Sequence, residues 1–161
     1  MHFIGVVTDK NSENNIKRMV NEKINNNNKI IFLTKENLSN FRNVKFDSLI
    51  LNEKLDENLS LNQIMEKCRY ILLNSDIYFK SDKTVKEYQK IITFGYNSKA
   101  TVTISSATED NYMIYIQDEI SNSNKLDDIQ EIKFEKTQSN INAYDGMIIT
   151  IMDMLYNNVK K

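Results

Sequence analysis

The chain predicts an α/β fold: a three-layer sandwich with a mainly parallel, Rossmann-like sheet and a C-terminal antiparallel hairpin section closed by a helix. Three observations carry this expectation. Up to residue 95, short continuous apolar runs (FIGVV, KIIFL, DSLIL, YILLN, IITFG) alternate with helical or loop segments. Strands of a parallel sheet covered on both faces have that composition. From residue 100 the strands instead alternate apolar and polar residues and are rich in β-branched side chains, as in an antiparallel section with one wet face. The chain then ends in a long segment of helical periodicity, and 161 residues suffice for one domain, residues 1–161, with a real core.

In order, residues 3–7 read as a buried strand containing Gly5. Residues 12–24 read as a helix whose apolar face is Ile16, Met19, Val20 and Ile24, with Asn11 or Ser12 as its cap and Glu13 in the first turn. The Asn run at 25–28 is a solvated turn. Strands follow at 29–33 and 47–51, then a helix over 60–68 capped by Ser60, and a strand at 70–74. A short helix is expected over 82–89 and a fifth strand at 91–95. Residues 100–107 and 111–119 form a hairpin about the turn ATEDN, with residues 130–136 as a third antiparallel strand after the exposed loop SNSNKLDD. The last helix, 141–157, buries Ile141, Tyr144, Met147, Ile148, Ile151, Leu155 and Tyr156.

Composition removes several function classes. A net charge of −1 gives no broad basic face for nucleic acid. No apolar run approaches the roughly 18 residues of a membrane span, and MHFIGVVTDK lacks the basic start of a signal peptide. Cys68 is the one cysteine, so no disulfide framework forms; a lone thiol fits a reducing cytoplasm, where the protein is expected. Cys68 reads as core. His2, the one histidine, stands near the terminus without a His or Cys partner at ligand spacing, so no zinc site and no Cys–His or Ser–His catalytic pair is expected. Asp127, Asp128 and Glu131 read as solvated surface, and no cofactor or metal is implied.

Five stretches, in order, resemble the central, ATP-binding domain of the Mur ligases, which join amino acids to peptidoglycan precursors. IGVVTDKNSEN (4–14) sits where that family has a strand and a G-T-x-G-K-[ST] phosphate loop. FDSLILNE (46–53) is similar to the strand that ends in a metal-binding Glu, and YILLNSD (70–76) to the strand ending Asn-x-Asp. KIITFGYNSKATVTISSA (90–107) matches most closely, with Thr93, Phe94, Gly95 and Ala100 in register. SNINAYDGMIITIMDML (139–155) looks like the closing helix, with Asn142 near its start. Set against that family, the chain is expected to lack the flanking substrate and C-terminal domains, and about forty residues separate the first and third strands, so the resemblance is to a shortened relative.

The departures fall on the chemistry. A phosphate loop works because glycines let backbone N–H groups converge on the anion while a Lys reaches the outer phosphates. In the simplest register Thr8 and Asn11 take glycine places, Ser12 takes the Lys place and Glu13 the hydroxyl place. Glu13 sets a negative charge where phosphate would sit, and two like charges about 4 Å apart repel by about 4 kcal/mol at an effective dielectric near 20. That equals the whole affinity of a millimolar ligand, about 4 kcal/mol. The metal-binding Glu position falls on Asn52, with Glu53 one residue on and turned to the other face.

The resemblance therefore implies a non-catalytic module that binds a protein or small molecule, without ligase activity. A second reading keeps a remodelled nucleotide or ligand site around Lys10, Asn74 and Asp76: Lys10 is the nearest replacement cation, and Asn74 and Asp76 follow a parallel strand at its carboxyl end. A third is a homo-oligomeric module using the hairpin edge, through YMIYI, or the last helix. Neither nucleic acid nor membrane is an expected partner.

Overall fold

The computed structural model describes residues 1–56, 58–78, 86–120 and 130–157. In chain order the elements are β1 (His2–Val7), α1 (Lys10–Lys23), β2 (Asn28–Phe32), a 3-10 turn (Leu38–Phe41), β3 (Ser48–Leu51) and α2 (Leu59–Lys67). There follow β4 (Tyr70–Asn74), β5 (Lys90–Phe94), β6 (Val102–Ala107), β7 (Asn111–Ile116), β8 (Gln130–Glu135) and α3 (Ala143–Tyr156).

The eight strands among the described residues form one sheet of order β2-β1-β3-β4-β5-β6-β7-β8. β1 to β5 run parallel; β6 touches β5 in parallel through the single pair Phe94–Val102, and β6, β7 and β8 then form an antiparallel meander. The predicted mainly parallel sheet with an antiparallel section and closing helix is thus the observed fold.

The chain winds outward in both directions from β1. Side chains alternate across the parallel strands, so Ile4, Val6, Ile50, Leu72, Ile92 and Phe94 meet α1 and α3 on one face. Val7, Leu49, Leu51, Ile71, Leu73 and Ile91 meet α2 and the 3-10 turn on the other. Both faces are buried, which is why these strands read as unbroken apolar runs. Gly5 lies inside β1 rather than in a loop. A Cβ there would stand 3.0 Å from Leu33 and 3.2 Å from Leu49, so it is a packing glycine.

Several boundaries differ from expectation. Asp9, not Ser12 or Asn11, caps α1: its carboxylate accepts from the Ser12 amide, and the helix starts two residues earlier. Asn58, not Ser60, caps α2 in the same way. Asn and Asp cap at least as well as Ser, so the earlier residue wins when its geometry closes. Of the expected 82–89 helix, residues 82–85 lie outside the described chain. Residues 86–89 form a turn, because Gln89 is drawn inward to donate to the carbonyls of Met65 and Cys68. SNSNKLDD, with Asp127 and Asp128, also lies outside the described residues.

α3 is buried almost all round rather than along one stripe: Ile149, Met152 and Met154 join the expected residues, of which Tyr144 alone is only half-buried, its hydroxyl turned out to Asp76. It packs against α1 as well as the sheet, and a helix apolar on every side belongs inside. Its far end is pinned by Tyr156, which donates to Asp47 at 2.7 Å and bonds Ser48. His2, far from hanging free, is the first residue of β1 and lies 3.7 Å from Asp47. Cys68 is buried, and that burial, with Asp47 nearby, pushes its thiol pKa up to about 12, so it stays protonated core. YMIYI is no sheet edge: β7 is paired on both sides, and the edges are β2 and β8. Among the described residues no helix is long and apolar enough to cross a membrane.

Candidate functional site at the carboxyl ends of the strands

Open α/β sheets bind ligands where parallel strands end, above all where the strand order reverses. Here that point lies between β1 and β3. Val6, Ile50 and Leu72 are neighbours in register on the α1/α3 face. Two residues further on, strand alternation brings Thr8, Asn52 and Asn74 to the same face. They close on one another: the Asn52 amide donates to Thr8 Oγ1 at 2.9 Å, and the Asn74 amide donates to Asn52 Oδ1 at 2.9 Å. Asn74 Oδ1 in turn accepts from the Asp76 backbone at 3.0 Å. A buried row of amides seals the switch point. Asn52, at the expected metal-ligand position, faces inward as part of this row, while Glu53 is exposed.

The first βα connection is closed by its own side chains. Asp9 Oδ1 accepts from the Ser12 amide at 2.9 Å. The Ser12 hydroxyl is fully buried and accepts from the Asn142 side chain at 3.4 Å. Lys10, the first residue of α1, stands out in solvent and pairs with Glu13 at 3.5 Å. A triphosphate with Mg²⁺ does not fit these residues: the amide that would hold phosphate already holds a carboxylate, and the cation beside it is paired.

The starts of α1 and α3 meet beneath this connection. Asn142 and Asp145 cap α3 reciprocally, a capping box. Asp145 Oδ2 also accepts from the Asn15 amide of α1 at 2.9 Å. Asn15 and Asp145 are both fully buried. Burial pushes the Asp145 carboxyl above its usual range, opposed by polar contacts from Ser12, Asn15 and the Asn142 backbone. The raised direction sets the sign. Asp145 favours folding most below the ordinary carboxylate pKa, and that contribution is lost as pH rises through its folded value. Asp145→Asn removes the titration, so the stability of wild type relative to this variant should fall as pH rises above the ordinary carboxylate range, about pH 4. Urea midpoints across that rise check it; a flat difference would show that burial does not control this carboxyl.

Asp76 holds the next turn. Its carboxylate accepts from the amides of Tyr96 (2.8 Å) and Asn97 (3.2 Å) and from the Tyr144 hydroxyl (2.8 Å), tying the β4 end to the β5–β6 connection and to α3. Burial and then Asp76 itself push the Tyr144 hydroxyl pKa upward, so Tyr144 remains the donor. Asn74 and Asp76 are therefore joined, whereas Lys10 makes no hydrogen bond to either.

Beside this turn opens a cavity of about 480 Å³, lined among others by Ser75, Thr93, Ser98, Lys99, Thr101 and Gln117. Gln117 Nε2 donates to the carbonyls of Ser98 and Ala100, which shapes the wall. Lys99 is exposed and has no ion pair among the described residues. Sequence reasoning missed these residues. The signal available was position alone: Ser75 and 97–101 follow carboxyl ends of parallel strands, while Gln117 arrives from another part of the chain.

Fold and site together define an open, doubly wound α/β protein whose switch point is sealed by amides and whose open cavity lies beside it, toward β5 and β6. No protein-family model matches the chain, and no curated protein matches it.

Proposed function

We propose that this chain is a binding module: a shortened, non-catalytic relative of the Mur ligase central domain, without ATP-dependent ligase activity. Its ligand is a small polar molecule taken up at the carboxyl ends of β4 and β5, in the cavity lined by Ser75, Thr93, Lys99 and Gln117. The observation that supports this most directly is the Asp9 carboxylate on the Ser12 amide, which puts a fixed anion in the seat of a phosphate. The five ordered stretches support the ancestry, and hydroxyl, amide and ammonium groups with the Asp118 carboxylate around one concavity support polar binding.

An amide-resolved NMR titration tests both parts. With millimolar ATP and Mg²⁺, the amides of residues 8–14 should not move. Saturable movement of the Ser12 and Glu13 amides would overturn the non-catalytic reading. On the same spectra, a panel of small organic acids and amides should include compounds that shift Ser98, Lys99 and Gln117. If none does so, the cavity is not the binding site.

A further inference from the structure

Parallel strands all begin at one end of the sheet, and here that end gathers cations. A cavity of about 510 Å³ is lined by Lys45, Lys67, Arg69 and Tyr88. Lys45 precedes β3, Arg69 precedes β4, Tyr88 precedes β5, and Lys67 is the last residue of α2. The cavity thus lies at the opposite end of the sheet from the one described above.

The cations are positioned without carboxylates. Lys67 Nζ donates to the Arg42 carbonyl at 3.2 Å, and the Arg69 guanidinium stands 5.0 Å over the Tyr70 ring. The Tyr88 hydroxyl donates to the Glu66 carbonyl while the residue stays 59% exposed, leaving ring surface open. Among the described residues none of the three cations makes an ion pair. Asp47, the carboxylate in the same connection as Lys45, is engaged by Tyr156 and His2. A basic residue at a helix end is ordinary, which explains Lys67. It does not explain Lys45 and Arg69 converging on the same concavity in a chain of net charge −1. Like charges around one cavity are relieved by a multivalent anion, and a half-open tyrosine beside them offers a stacking face to a flat group.

We propose that this cavity binds a small, soluble phosphorylated molecule, its phosphate oxygens held by Lys45, Lys67 and Arg69 and its organic part against Tyr88. The site is independent of the carboxyl-end cavity, and either can fail without the other.

The probe is inorganic pyrophosphate at low ionic strength, followed by NMR on wild type, Lys67→Gln, Arg69→Gln and the double variant. Saturable millimolar binding is expected, with shifts at residues 45, 67–69 and 88 and none at 8–14. Each single substitution should weaken binding about fivefold, the effect of one exposed charge contact, and added salt should weaken it further. Circular dichroism confirms that the variants fold, and Lys17→Gln, an exposed cation of α1 that lines neither cavity, should bind as wild type does. Absence of saturation, or wild-type affinity in the double variant, would overturn the proposal. So would a single-stranded oligonucleotide that binds more tightly than pyrophosphate, since that assigns the patch to nucleic acid.

Discussion

Gly95→Val is expected to lower the stability of the fold by about 4 kcal/mol, the sum of backbone strain and overpacking. Gly95 has φ +154°, a region that glycine occupies and L side chains rarely do. A Cβ there would stand 2.8 Å from Asp76 Oδ2 and 2.9 Å from its Cγ. The carboxylate cannot swing aside freely, because it accepts from Tyr96, Asn97 and Tyr144. Urea unfolding of Gly95→Val, Asp76→Ala and the double variant separates the two terms. With the carboxylate gone, the valine should lose its steric penalty and keep the strain, so the two substitutions should be less than additive. Full additivity would mean that Asp76 does not confine position 95.

Asn74→Ala should cost about 2 kcal/mol, because it leaves one buried acceptor without its donor and one half-buried amide without its acceptor. The Asn52 oxygen loses its donor and the Asp76 amide loses its acceptor, and Asn74 itself is fully buried. A residue whose work was to contact a ligand would instead be replaceable with little loss of stability. Chemical unfolding decides between them, and a loss under about 0.5 kcal/mol, the range of ordinary surface changes, would return Asn74 to the ligand-contact reading. The same substitution should loosen Thr8 through Asn52, visible as faster hydrogen exchange at the β1 end.

The two residues show where sequence reasoning stops. YILLN announces a buried strand, and Asn74 at its end reads equally well as a turn former or a ligand contact. What settles its placement is Asn52, 22 residues earlier and in register on the neighbouring strand. Asp76 was visible as a carboxylate at a strand end, but its grip on the β5–β6 turn and on Tyr144 was not. Helix caps were nearer the mark, since the capping residue types were present, yet Asp9 and Asn58 outcompeted the serines behind them. Lys45, Lys67, Arg69 and Tyr88 gave no signal at all, being scattered charges until the strands align their starting ends.

Taken alone, the order of residues determined where the described strands and the three α-helices fall, though not the turn at 86–89, and also which strands are covered on both faces and where the sheet turns antiparallel. Hydrophobic periodicity acts within a few residues, so those properties are local. Tertiary structure alone decided what the buried polar groups do. Asn15 meets Asp145 across 130 residues, and a hydrogen bond depends on a partner at contact distance, which no local pattern encodes.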